Sequence, residues 1–376
     1  MKENESQYIV DLSHLNDEKP NGVSGLLRVK DDEEFLSLSI DSCISALDEL
    51  IIVYQKSDDD SEHIIYQKQK QYPDKIRVYF YEPEIKSHNL SLEEFKQVSD
   101  LEDNSIHLLS NYYNYTLSKA SFRYAMKIDA DQIYNTAKLK LICDAYRSSS
   151  KINITIKEYF VSQLLAILSC LSYRLSTLFN LRLQYRLPDW FAKVYSEYSI
   201  KRITNEKCAA SFSGINICIV DHQPYLPLGK YSENMFPPFN GIDDHLLFRI
   251  SDKTYYKPAP MDSTHAAYKL CVIERFTYDE FIYNRIGFPK HLVNCGFLWF
   301  HVAPMKQKFR KKQPLIPFET DLNRQVYKPL MTAMFNRSRF WFMLWWNSWR
   351  TQPRTVLDQW NNNLELIKRH VNQKSN

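Results

Sequence analysis

The chain has 376 residues, 44% of them hydrophobic and 24% charged, enough for one large α/β domain with appendages or for two domains, and too apolar for a disordered chain. Its net charge of +4 is mild, with Asp and Glu crowded into the first 105 residues and a basic tail after Met305. Seven scattered cysteines without C-x-x-C argue against a disulfide framework or a zinc site, and the absence of G-x-x-x-x-G-K-[ST] and G-x-G-x-x-G argues against a P-loop or dinucleotide site. Reduced thiols predict a cytoplasmic protein, the polar start MKENESQ predicts no signal peptide, and no apolar run reaches the ~18 residues of a membrane span.

Residues 1–20 read as a polar lead-in. The buried pattern GVSGLLRV over 22–29 predicts a strand, and Lys30 and four acidic residues after it sit where a helix N-terminus favours negative charge. Phe35, Leu38, Ile40, Ile44 and Leu47 continue at roughly helical spacing. A second strand is predicted at 49–54, a helix at 63–71, a third strand at 75–80, a helix at 108–120 and a fourth strand at 124–128. Strands alternating with helices predict a parallel wound sheet, which binds ligands at the carboxyl ends of its strands. Asp129-Ala130-Asp131 falls at that edge. Two carboxylates so close are costly at the end of a buried strand unless a cation neutralises them. A hard divalent ion carrying a diphosphate is one solution, and a solvated acidic turn is the other.

Three stretches, VSGLLRVKDDEEFL at 23–36, DELIIVYQKSDDDS at 48–61 and AMKIDADQIY at 125–134, resemble in order and spacing the bacterial family-2-like nucleotide-sugar glycosyltransferases of the GT-A fold. The resemblance covers about a third of the chain. It implies an α/β, Rossmann-like, mostly parallel sheet, a UDP-linked donor such as UDP-galactose or another UDP-hexose, and Mn²⁺ or Mg²⁺. In that family the acidic motif holds the metal, which assigns Asp131 and Asp129 to it, with Asp129 also facing the ribose. Arg28 and Lys30 are then placed to meet the base or the phosphates, and a solvated cationic turn is their other reading. Family members often carry Asp after the second strand, against the uracil, where Tyr54 and Gln55 stand here, so Gln55 becomes the candidate at that position. Ser213 and Gly214 lie where the family's strand runs beside the donor sugar.

An inverting transfer also needs a base for the acceptor hydroxyl. Gly241-Ile242-Asp243-Asp244 resembles the family's acidic motif before the acceptor-side helix, which makes Asp244 the expected base and Asp243 an acceptor or structural contact. Helix capping by either residue is the competing reading. His222, His265, His291 and His301 are candidate metal or phosphate ligands, each otherwise an ordinary hydrogen-bonded histidine. His265 and His291 are the more loop-like, and His265 is taken as the metal ligand.

The second half adds a helical apolar stripe over 161–187, interrupted by arginines, and a Trp-rich stretch at 337–350 flanked by arginines. With the basic run 306–312, these predict a peripheral contact on the inner face of the cytoplasmic membrane, where a lipid-linked or oligosaccharide acceptor would be presented. Packing on the catalytic domain or on a partner is the alternative for both. The expected layout is a lead-in at 1–20, a catalytic domain at 21–300 (nucleotide half 21–135, acceptor half 136–300) and a basic, helical C-terminal region at 301–376. The expected activity is transfer of a sugar to a lipopolysaccharide, O-antigen or capsule acceptor. A nucleotidyl- or phospho-sugar transferase on the same fold and a non-enzymatic binding module are the competing readings. Nucleic acid is not expected, since the acidic sheet edge would repel it.

Overall fold

The computed structural model describes residues 5–164, 189–220, 223–227, 239–240, 246–262, 270–277, 292–306, 315–317, 363 and 366. In chain order the strands and helices are β1 (Val23–Val29), α1 (Glu33–Cys43), β2 (Glu49–Tyr54), α2 (Ser61–Gln71), β3 (Ile76–Phe80), α3 (Leu92–Ser99), α4 (Leu109–Ser118), β4 (Tyr124–Ile128), β5 (Gln132–Tyr134) and α5 (Thr136–Arg147). There follow α6 (Asp189–Glu206), β6 (Ala209–Asn216), β7 (Cys218–Val220), β8 (Gln223–Pro227), β9 (Phe239–Asn240), β10 (Leu246–Arg249), β11 (Tyr256–Asp262), β12 (Leu270–Phe276), β13 (Leu292–His301) and β14 (Leu315–Pro317). The chain forms two compact units, residues 1–130 with 247–283 and residues 131–246 with 284–376. The division passes between Ala130 and Asp131, inside the acidic motif.

In the first unit the strand order is β3-β2-β1-β4-β10. β1 lies parallel to both β2 and β4, β2 is parallel to β3, and β10 closes antiparallel on β4 with Leu247 opposite Met126. Every residue of β2 is buried, and in β1 only Arg28 is partly exposed, as near-continuous apolar runs require when both faces of a parallel strand are covered. Gly25 of β1 admits no side chain, since a Cβ there would come within 2.6 Å of Leu47 and 2.8 Å of Leu50. β11 and β12 pair as a separate antiparallel hairpin. The sequence reading placed the four parallel strands to within one residue and α2 and α4 to within two; it carried helical spacing on to Leu47, whereas α1 ends at Cys43, and it did not find α3.

Tyrosines do much of the filling in this unit. The rings of Tyr8, Tyr81, Tyr112 and Tyr115 meet at centroid distances of 4.8 to 5.6 Å, tilted or edge-on. Their polar ends are satisfied: Tyr81 donates to the Ile106 carbonyl at 2.7 Å and Tyr112 to the Val53 carbonyl at 2.6 Å. Tyr8 and Leu15 are buried, so the segment read as a polar lead-in is packed against the unit.

In the second unit β6 and β13 are parallel, β5 runs antiparallel on β13, and β9 is antiparallel on β6. A small antiparallel sheet has the order β14-β8-β7. Phe297, Leu298, Trp299 and Phe300 of β13 are fully buried, and α5 and α6 pack against each other. Of the stripe at 161–187 only 161–164 is described, and it is helical. The Trp-rich stretch at 337–350 lies outside the described residues. Within the expected helical C-terminal region, 315–317 is instead a strand on β8, with Ile316 opposite Leu226.

Candidate active site

The loops that leave β1 and β2 interlock. The Asp31 and Asp32 amides donate to the Ser57 and Ser61 hydroxyls, and the Glu33 amide to Asp59 Oδ2 at 2.9 Å. In return the Asp58 amide donates to Asp31 Oδ1 and the Asp60 amide to Glu33 Oε2, both at 2.9 Å. The N-terminal turns of α1 and α2 are thus capped by each other's loops. Asp31 adopts a left-handed φ of 53° to make this exchange, a conformation that Asp tolerates better than most residues. Lys30, one residue earlier, is exposed. Gln55 is buried, its carboxamide donating to the Pro83 carbonyl at 2.8 Å and its amide to the Val29 carbonyl at 3.0 Å. It ties the ends of β1 and β2 to the segment after β3.

Arg28 projects from β1 with 7% of its side chain exposed, its guanidinium 3.7 Å above the Tyr113 ring and 3.8 Å from Asp129 Oδ1. Burial works against its charge, but Tyr113, Tyr256, Asp129 and Glu274 together raise its pKa above the usual arginine value. The Tyr113 hydroxyl is likewise pushed above its ordinary range by burial, although Lys127 and Arg28 pull the other way. The Lys127 ammonium lies 5.6 Å from the same ring and 3.9 Å from Glu274. The Asp129 carbonyl accepts from the Ser39 hydroxyl at 2.7 Å, which pins this end of β4 to α1.

Asp131 belongs to the second unit, and its two oxygens face different partners. Oδ2 is 2.8 Å from the Lys306 ammonium, and Oδ1 is 3.4 Å from His301 Nε2. The Asp131 carbonyl accepts from the Val302 amide at 2.9 Å. His301 Nδ1 meets Asn216 Oδ1 at 2.5 Å, a contact that fixes the orientation of the ring. Asp131 and His301 thus offer an oxygen and a nitrogen within reach of one ion, a donor set suited to Mn²⁺ and acceptable to Mg²⁺. Among the described residues no three His, Cys, Asp or Glu side chains gather into a metal site.

The structure therefore brings Arg28 to Asp129 and His301 to Asp131, and it spends Gln55 on backbone. Gly214 in β6 has no room for a side chain, because a Cβ there would lie 1.9 Å from the Trp299 indole nitrogen. Its lack of a side chain answers to that indole, whatever else passes nearby. Ser213 lies beside it in the same strand. Asp243, Asp244 and His265 lie outside the described residues. Lys306 was read as the first charge of a membrane-binding run, and that reading is corrected: its side chain is 5% exposed and its charge is engaged by Asp131. The sequence reading named His301 only as one of four histidines and missed the role of Lys306. The available signal was a polar residue, His301, closing the apolar run of β13.

Residues 8–160 match the family model described as beta-1,4-N-acetylgalactosaminyltransferase (CgtA). No curated protein matches. Similar solved structures include glucosyl-3-phosphoglycerate synthase from Mycobacterium tuberculosis in complex with Mn²⁺, UDP and glucosyl-3-phosphoglycerate, at 19% identity and a TM-score of 0.20 over 32% of this chain and 37% of that one. The same enzyme with UDP alone matches at 19% identity and a TM-score of 0.20 over 33% and 38%. A further mycobacterial protein matches at 18% identity and a TM-score of 0.19 over 33% and 35%. The chain thus spans little more than a third of the length of these structures. The family match lies over the wound parallel strands of the first unit and the acidic motif that ends them.

Proposed function

We propose that the enzyme transfers a hexose or N-acetylhexosamine from a UDP-linked donor to a hydroxyl of a surface-glycan acceptor, such as lipopolysaccharide, O-antigen or capsule, with a divalent metal and with inversion. The observation that carries this reading is the end of β4, where Asp129 stands beside a buried arginine and Asp131 beside an oriented histidine. The family description names an N-acetylgalactosaminyltransferase, which makes UDP-N-acetylgalactosamine and UDP-galactose the first donors to try.

Asp131 and His301 would hold the metal, with Asp129 directed at it or at the ribose. A divalent ion so held would neutralise the charge that builds on the β-phosphate as the sugar–phosphate bond breaks. Arg28, fixed in place by Tyr113, presents a second positive charge beside Asp129, already desolvated and needing no reorganisation. Asp244 would take the proton from the acceptor hydroxyl, with Asp243 next to it.

A peripheral membrane contact belongs to the same proposal. In the second unit Ile156, Tyr159, Phe160 and Trp190 are exposed, and Lys157 lies 5.6 Å from the Trp190 ring. No helix of the described residues is long and apolar enough to cross a membrane.

Calorimetry with UDP in the presence and absence of Mn²⁺ tests the central claim. Asp131→Ala should abolish the Mn²⁺-dependent part of UDP binding, and a variant that keeps it would remove Asp131 from the metal site.

A further inference from the structure

Each carboxylate of the acidic motif already has a cation of its own in this chain. Asp129 faces Arg28 at 3.8 Å, and Asp131 is held by Lys306 at 2.8 Å. Two negative charges are thus matched by two positive ones before any metal is counted. Lys306 is the closer partner, and it is a built feature of the fold. Its side chain is 5% exposed, and it follows the short helical turn Ala303–Met305, whose preceding residue Val302 donates its amide to the Asp131 carbonyl. The backbone and the ammonium of the same segment therefore grip the same aspartate.

A divalent ion bound to the other oxygen of Asp131, beside His301, would sit within a few ångströms of the Lys306 charge. Two cations that close, out of bulk water, repel strongly. Asp131 and Lys306 cancel, so adding the metal alone would leave two uncompensated positive charges beside them. A nucleoside diphosphate arriving with the metal removes that excess, and it offers the Lys306 ammonium phosphate oxygens to bind.

We propose that Lys306 makes metal binding conditional on the diphosphate of the donor: it weakens the affinity of Asp131 for a free divalent ion, and it stabilises the ion once a nucleoside diphosphate is present. This rests on the metal-dependent reading given above. Because the coupling is a property of two binding equilibria, UDP must raise Mn²⁺ affinity by the same factor by which Mn²⁺ raises UDP affinity.

The test is direct titration of Mn²⁺, followed by the electron paramagnetic resonance signal of the free ion, with and without UDP. In the wild-type chain UDP should tighten Mn²⁺ binding at least tenfold. Lys306→Met, similar in length and uncharged, should bind Mn²⁺ without UDP at least tenfold more tightly than wild type and lose most of the coupling, whereas Lys306→Arg should keep it. If Lys306→Met binds Mn²⁺ no tighter without UDP while wild type binds it with UDP, the inference is overturned and the metal site stands. If wild type binds Mn²⁺ under neither condition, the metal-dependent reading falls and the inference with it. If Lys306→Met does not fold, wild type decides alone: equal Mn²⁺ affinity with and without UDP overturns the coupling.

Discussion

Asp59 divides its carboxylate between two loops, accepting from the Glu33 amide through Oδ2 and from the Ser61 amide through Oδ1. Burial raises its pKa, but the hydrogen bonds from Ser61 and Glu33 outweigh that and leave it below the usual 3.8. A carboxylate whose folded pKa is depressed stabilises the fold above its unfolded pKa and loses that contribution as pH falls through the folded value. Asp59→Asn can accept through only one side-chain atom, so it should cost about 1–2 kcal/mol at pH 7, as loss of a cap does. Urea unfolding would measure this, and the gap to wild type should narrow below about pH 4. The sequence placed the acidic residues after Lys30 at a helix N-terminus and gave no partner to those after β2. The pairs that lock the loops lie 26 to 29 residues apart, where no local pattern reports them. The same holds for Lys306, whose partner Asp131 is far away in sequence.

The four parallel strands were legible because burial on both faces demands uninterrupted runs such as Leu50-Ile51-Ile52-Val53. α3 was missed although its start is written as Ser91-Leu92-Glu93-Glu94, a capping box that the structure forms in both directions. The second unit was less readable, since the register of β6 on β13 pairs Gly214 with Trp299, 85 positions on, across a bulged ladder. That pairing explains Gly214 in a chain with only seven glycines, where each tends to have a local cause. Gly214→Ala would drive a methyl group into the Trp299 indole, and the fully buried ring has nowhere to go. We expect a loss of roughly 1–3 kcal/mol, as overpacking costs, read as a lowered melting temperature by circular dichroism. A melting temperature equal to wild type would mean that the indole can be displaced at no cost.

For the molecule as a whole, the charge pattern separates an acidic first part from a basic last part, but it does not reveal what the positive residues do. Arg28 and Lys306 are turned inward onto Asp129 and Asp131, so neither of these two charges is offered to a surface. In the proposed membrane contact, attraction then falls to residues further along, in the run ending at Lys312 and around the tryptophans of 337–350. Replacing Trp345 and Trp346 by Ser should lower co-sedimentation with anionic liposomes several-fold while Mn²⁺-dependent UDP binding is unchanged. Unchanged co-sedimentation would assign these rings to packing within the protein or against a partner.

The anchoring of Lys306 on Asp131 has one more effect, which is a matter of reach. Lys306 is the first of the seven residues that end at Lys312, and even a fully extended chain adds at most ~3.6 Å per residue. Whatever grips Lys312 is therefore tethered within ~22 Å of Lys306, six extended residues away. On the proposed membrane contact, a bilayer that captures Lys312 lies within that tether of Lys306, which bounds the gap a lipid-borne acceptor would have to span.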